Sequence, residues 1–402
     1  MDEDDGFFGS VLAEFPPVAT AFAYGSAVFG QRGYSEAQKR AAMTDLVFVV
    51  DNAAEWHSTN LERHSAHYSG IGRLLGASLL ARVQDEVGAG IYYNQCDLHG
   101  RRIKYGVVSR AALSNDLQHW SSLYVGGRMH KPVRTLAPWP ADLQRLVAAN
   151  RRSAVTASLL LLPERFDADD VLNTIVGLSY GGDVRMGVGE SHGKPSNIAA
   201  GQQSALAELY SQPLAELLSS SGSGGTSGGG RTDASAAELE KNGKSGGDGA
   251  SGWSLSAGSS MMQDISLSAR LAHLAALPSH AQHTLLGQLG GQPPAAAAAS
   301  TSAASTATAS SPSAAAVANG LDVAARHLWD GASGDEQASK TLASALRTSL
   351  SRIVRRSSLS QTVKGIATAG LGTSLAYAMA KMRKRSSQDD AMAARQRGAR
   401  PK

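Results

Sequence analysis

Runs and alternations of apolar residues divide the chain into a strand-rich first part and a helix-rich remainder. "PPVATAFAYGSAVFG" opens on two prolines and predicts a short strand running into a turn at Gly25-Ser26. "TDLVFVVD" (44–51) is a continuous Leu, Val and Phe run with an acid near each end, the pattern of a strand buried on both faces. Between them "GYSEAQKRAAM" is polar and loop-like. The stretch from Glu55 to Gly88 predicts helices broken at Ser69-Gly70, and "AGIYYNQCDLHGRRIKYGVVS" (89–109) predicts a β-hairpin turning around Asp97–Gly100. "SNDLQHWSSLYVGGRM" (114–129) predicts a capped amphipathic helix.

From about residue 130 the period turns helical. "PADLQRLVAANRRSAVTASLLLL", "DADDVLNTIVGLSY" and "NIAAGQQSALAELYSQPLAELLSS" place apolar residues at helical spacing after a Pro, Asp or Asn. Residues 219–252 are rich in Gly and Ser, and 290–320 in Ala, Ser and Thr. Both lack the large apolar residues that offset chain entropy, and both are expected to be disordered. The organisation expected is an α/β unit over 1–125, a helical unit over 126–218, a helical segment over 253–289 and a helical basic region over 321–402.

Charge refines this picture. A net charge of +4 is too small to point to nucleic acid by itself, but its distribution is uneven. The chain starts "MDEDD", whereas Arg352 to Lys402 is dense in Lys and Arg, which suits an anionic surface. The single cysteine, Cys96, excludes an intrachain disulfide and a multi-cysteine zinc site. No run reaches the roughly 20 apolar residues that span a bilayer, and no secretory or Arg-rich import signal is visible at the N-terminus.

Candidate chemistry starts at Gly25-Ser26 and Asp45. Glycine lets backbone amides approach a phosphate, serine adds a donor, and an aspartate on the next strand can hold Mg²⁺ together with substrate phosphates. The same Gly-Ser pair also suits an ordinary turn. Lys104, inside an apolar strand, either faces water at a sheet edge or reaches a triphosphate. "GGDVRMGVGESHGKPSN" gathers Asp183, Arg185, Glu190, Lys194 and Asn197 among glycines, as a surface loop or as a site. His57 and Asn60 in "EWHSTN" read as packing or capping residues ahead of a catalytic base.

Taken in order, "AYGSAVFGQ", "DLVFVVD", "EWHSTN", "IKYGVVS", "LYVGGRMHKPV", "GLSYGGDVRM" with "GKPSNI", and "RIVRRSSLSQTVKGIATAG" resemble the mitochondrial CDP-diacylglycerol synthase family, also called the translocator assembly and maintenance family. The resemblance covers about residues 15–210 and 345–385. It implies an α/β nucleotidyltransferase palm, a winged-helix-like helical domain and a membrane-contacting C-terminal region. It also implies conversion of CTP and phosphatidate to CDP-diacylglycerol and diphosphate with Mg²⁺, on the matrix side of the mitochondrial inner membrane. Nucleic acid is then not an expected partner. By position, Gly25 and Ser26 would cradle the triphosphate and Asp45 would bind metal; Lys104, Arg185, Lys194 and Asn197 would lie near nucleotide or lipid phosphate.

The acid–x–acid pattern of nucleotidyltransferases is broken here by Val47. At about 3.3 Å per strand residue, Asp51 lies roughly 20 Å from Asp45, so Asp183 or Glu190 is expected to complete the catalytic and metal site. At the C-terminal end only 16 uncharged residues separate Lys364 from Lys381, too few and too polar for a span. Arg352, Arg355, Arg356, Lys364 and Lys381 are expected to meet an anionic membrane, each gaining on the order of 1 kcal/mol. Two rivals remain at this point: a soluble nucleotidyltransferase acting on RNA or a small acceptor, and a non-enzymatic scaffold for protein import.

Overall fold

The computed structural model describes residues 3–29, 42–187, 191–221, 255, 258–290 and 313–369. Glu190, Lys381 and most of 219–252 and 290–320 lie outside these residues. The first half forms a five-stranded mixed sheet: β1 (Thr20–Tyr24), β2 (Thr44–Val50), β3 (Ile91–Leu98), β4 (Arg101–Ser109) and β5 (Arg134–Ala137), in the order β3-β4-β2-β1-β5. Only β2 and β4 run parallel. The β3–β4 hairpin forms as expected, with His99 and Gly100 both at positive φ, the twist-matching geometry of a two-residue turn.

The apolar run of β2 sits in the sheet's centre for a physical reason. Strand side chains alternate between faces, and both faces here are covered. Leu46, Phe48 and Val50 pack with Trp56, Tyr105 and the aromatic face of α1 (Glu3–Glu14), while Val47 and Val49 pack with Phe22, Val108, Leu113 and Met129. The acidic N-terminus is thus a docked helix that the sequence pattern did not predict. Phe7, Phe8 and Val11 bury its inner side, and Asp4 and Asp5 pair with Arg101 and Arg134.

Helices α2 (Ala53–His64) and α3 (Gly70–Glu86) lie on the α1 face. Helix α4 (Arg110–His119) is capped by Ser109 and stops at Trp120, whose φ is +57°. The amphipathic helix expected through Met129 therefore ends ten residues early. Asp116 explains why. Its Oδ1 accepts the amides of Ser122 (2.8 Å) and Leu123 (2.7 Å), and its Oδ2 those of Val125 (3.0 Å) and Gly126 (2.8 Å). A buried carboxylate offers those amides better acceptors than another helical turn, and the chain becomes a loop. The region after 130 is also not purely helical, because β5 adds to the sheet edge beside β1.

The remainder is mostly helical: α5 (Ala141–Leu161), α6 (Ala168–Gly177), α7 (Lys194–Gly201), α8 (Gln203–Ser221), α9 (Leu267–Ala275), α10 (Ser279–Gln288), α11 (Ala314–Asp330) and α12 (Asp335–Ala369), with a two-stranded pair β6 (Arg165–Asp167) and β7 (Ser260–Met262). Helix α6 opens on a capping box between Asp167 and Asp170. The two stretches expected to be disordered are encroached on by helix. Helix α8 runs to Ser221, and α11 starts at Ala314 with Ser313 as its cap and Val317 buried. Alanine is the best helix former, and Val317, Leu321 and Ala325 give α11 a burying stripe. Among the described residues no helix is long and apolar enough to cross a membrane.

Candidate active site

Sheet register brings three of the expected residues together. Tyr24 pairs with Asp45, and Asp45 pairs with Lys104 on the parallel neighbour. Gly25 follows Tyr24 at φ +88°, a conformation that L side chains rarely adopt. A Cβ built on it would lie 3.2 Å from Asp45 Oδ2. The bare backbone of the turn and the carboxylate therefore meet. The turn is closed by the amides of Val28 and Phe29, which donate to the Gly25 carbonyl. Lys104 Nζ lies 4.0 Å from Asp45 Oδ1 and 4.4 Å from the centre of the Tyr93 ring.

Cations and tyrosines surround this point. Arg128 stands 4.2 Å over Tyr124 and 5.1 Å over Tyr24, and its Nη1 donates to the Tyr124 carbonyl at 2.7 Å. Arg185 also lies over Tyr124, 5.6 Å from the ring centre. Burial alone would push the Tyr124 phenol up. The charges of Arg128, Arg185 and Lys104 outweigh it and bring the phenol down to about 7. The field here favours negative charge, as a polyphosphate site requires.

Asp183 is paired with Arg185. Its Oδ1 accepts both the Arg185 amide and Nε at 2.9 Å, and its Oδ2 accepts Nη2 at 2.6 Å. In this arrangement Asp183 holds a guanidinium in place. Burial would lower the Arg185 pKa, but Tyr124 and Asp183 raise it and keep the charge. Lys194 begins α7 and lies 6.0 Å over Tyr180; Asn197 is exposed one turn later. Glu190 lies outside the described residues. Ser26 is half-buried in the turn.

Two cations were invisible as site residues in the sequence: Arg128 and Lys131. Both sit in "YVGGRMHKP", where two glycines and the absence of a clear period conceal a loop folded around Asp116. His57 and Asn60 are not brought to the site. His57 is buried between the Tyr68 hydroxyl (2.8 Å) and Gln84 Oε1 (2.9 Å), and Asn60 donates to the Tyr68 and Tyr105 hydroxyls. Tyr105 points to the α1 face, opposite Lys104. Burial pulls the His57 pKa down to about 4, which keeps the ring neutral as a packing residue. Asp51, at the far end of β2, pairs with Arg110 at 2.7 Å.

A magnesium ion fits this site in one particular way. Among the described residues no three His, Cys, Asp or Glu side chains gather as a metal-binding set. The carboxylate of Asp45 is partly exposed beside a backbone that lacks a Cβ. Magnesium commonly binds through one or two carboxylates with substrate phosphates and water completing its shell, and Asp45 suits that mode.

The fold and site define an α/β protein that sets the Asp45 carboxylate beside cations and tyrosines at one end of a mixed sheet. Over residues 8–384 its sequence matches the family described as "Phosphatidate cytidylyltransferase, mitochondrial", and the chain belongs to that family. Relatives bearing that name include a Bos taurus protein, 45% identical over 214 residues, which covers 52% of this chain and 62% of its own length. A Homo sapiens relative is 43% identical over 212 residues, covering 52% of this chain and 46% of its own. The match therefore spans about three fifths of the bovine protein and under half of the human one. A Drosophila melanogaster relative matches at 35% identity over 389 residues, covering 93% of this chain and 96% of its own.

Proposed function

We propose that the protein is a phosphatidate cytidylyltransferase, joining phosphatidate to CTP to give CDP-diacylglycerol and diphosphate, and so supplying cardiolipin biosynthesis. The observation that carries this reading is the convergence of Gly25, Asp45 and Lys104 at one level of the sheet. On this reading the sheet and its helices are the nucleotidyltransferase palm, and the helices around β6–β7 form the winged-helix-like unit. The Gly25-Ser26 turn cradles the triphosphate, and Lys104, Arg128 and Arg185 neutralise it; Lys194, 6.0 Å over Tyr180, and Asn197 lie near the phosphate of one of the two substrates. Asp45 would hold Mg²⁺, with Glu190 or a released Asp183 as its second carboxylate. Bound there, the ion supplies charge neutralisation for the departing diphosphate.

A phosphate oxygen of phosphatidate attacks the α-phosphorus of CTP, and the bond to the β-phosphate oxygen breaks. The nucleophile is already anionic and needs no base. The chain's task is to hold two anions in line and offset their charge, which preorganised cations do without reorganising. The test is product formation from phosphatidate vesicles with each of the four nucleoside triphosphates. CDP-diacylglycerol from CTP is expected; nucleotide transfer to RNA instead, or no Mg²⁺-dependent CTP binding, would overturn the assignment.

The reading also places the protein peripherally on an anionic membrane, the matrix side of the mitochondrial inner membrane. Support comes from α12, where Arg352, Arg355, Arg356, Leu359, Val363 and Ile366 are exposed and recur every three or four residues along one side. Leu359 and Val363 are 50% and 59% exposed. Lys364 does not belong to this face. It is buried, and its Nζ donates to the Gln84 (3.2 Å) and Val87 carbonyls at the end of α3, satisfying carbonyls that a helix end leaves open. Replacing Leu359, Val363 and Ile366 together by Ser is expected to weaken association with anionic vesicles at least about tenfold, since burying one such side chain is worth roughly 1.5–3 kcal/mol. Co-sedimentation reads this directly; unchanged binding would remove α12 from the membrane contact.

A further inference from the structure

The cations of the site fall into two groups around different rings. Lys104, Arg128 and Arg185 gather around Tyr24, Tyr93 and Tyr124, next to Asp45. Lys131 and Lys194 gather around Tyr180, at 5.0 and 6.0 Å from its centre. Both ammonium groups thus lie within about 6 Å of the centre of the same ring. Lys131 Nζ donates to the Gly127 carbonyl at 2.6 Å and to Ser179 Oγ at 3.0 Å. Those two acceptors are neutral and do not offset its charge.

This pairing of segments is built in. Gly127 approaches α6's end so closely that a Cβ on it would meet Ser179 Cβ at 2.4 Å. That contact fixes the Asp116-organised loop, and Lys131 with it, against Ser179 and Tyr180. Lys194 is the first residue of α7, whose N-cap is Gly193 and which carries no side-chain cap. The Lys194 amide already donates to the Ser191 carbonyl and Pro195 has no N–H, so the helix start adds its dipole to the two lysines without a row of free amides.

We infer that Lys131, Lys194 and the start of α7 form a second anion subsite, which takes the phosphate monoester of the acceptor lipid while the Asp45 group takes the triphosphate. This inference rests on the proposed reaction. Its chemistry follows from the reaction's own difficulty: two polyanions must be brought together, and one set of cations already engaged with a triphosphate cannot also steer the second. A monoester near neutral pH carries close to two negative charges and three acceptor oxygens, which two ammonium groups and a helix end match. The electrostatics agree, since burial and the charges of Arg128 and Lys194 lower the Lys131 pKa to about 7. Cations surround that point, and a phosphate arriving there would restore the ammonium.

The test uses the full chain, with Lys131→Met and Lys194→Gln as variants and thermal unfolding as the folding control. Calorimetry measures short-chain soluble phosphatidate without nucleotide, and Mg²⁺·CTP without lipid. Each variant is expected to weaken phosphatidate binding, and raise its KM, at least about tenfold while leaving the CTP dissociation constant within about twofold, the signature of one lost charge-assisted contact. Parallel loss of CTP affinity would assign the lysines to the triphosphate and overturn the inference, as would unchanged phosphatidate binding in both variants. Should Lys131→Met fail to fold, Lys194→Gln carries the same test from a half-buried position. A wild-type protein that binds both ligands yet makes no CDP-diacylglycerol would overturn the proposed reaction, and the differential binding would then still decide the subsite.

Discussion

Replacing Asp45 by Asn is expected to reduce CDP-diacylglycerol formation by about two to three orders of magnitude or more, the scale of losing one preorganised electrostatic group. The substitution is isosteric and the side chain is partly exposed. Its Lys104 neighbour sits at the 4.0 Å limit of an ion pair, an interaction of little worth to stability in that setting. The melting temperature should therefore hold while activity disappears. Mg²⁺-dependent CTP binding, read by calorimetry, should weaken in the same variant. A variant that turns over at the wild-type rate would remove Asp45 from the mechanism and leave the Gly25 turn as a simple connection.

The second large effect belongs to a residue that touches no substrate. Asp116 is buried, and its two oxygens accept four backbone amides and the Ser122 hydroxyl. An asparagine there keeps one oxygen but turns an NH₂ group toward amides that also donate. Each buried donor left unsatisfied costs about 1–3 kcal/mol, so Asp116→Asn should destabilise the protein by roughly 3–5 kcal/mol. The loop from Ser121 to Lys131 should loosen with it, and CTP and phosphatidate binding should both fall, because that loop carries Tyr124, Arg128 and Lys131. Urea denaturation checks the first part and calorimetry the second. A loss below about 1 kcal/mol would show that the loop is held by its packing rather than by the carboxylate.

What could be read from residues alone follows the strength of the local signal. The β2 run and the β3–β4 hairpin are legible because continuous Val, Leu and Phe and a His-Gly turn leave few alternatives. Gly25 and Asp45 could be paired as candidates, but only the antiparallel register of β1 with β2 makes them neighbours. Helix α1 is hidden by its acidic start, since its acids are matched by Arg101 and Arg134 far along the chain. Arg128 and Lys131 are hidden for a related reason: the loop that aims them is organised by Asp116, whose acceptors face partners up to ten residues away. Periodicity records which side of an element is buried, and carries no trace of a carboxylate that overrides it.

The burial of Lys364 and Gln361 has a practical consequence for how the protein could be cut. Gln361 bridges the Ala89 amide and the Ile91 carbonyl at the head of β3, and higher in the same helix Leu342, Leu346, Leu350, Ile353 and Val354 fill the helical core. Protease trimming to a point near residue 345 would strip four of those five side chains and unseat a strand more than 250 positions earlier. The fragment left behind should aggregate, not circulate as a working catalytic head. Cleavage at that point is expected to end activity by removing part of the core, and resistance of α12 to limited digestion becomes a simple gauge of whether the whole molecule is intact.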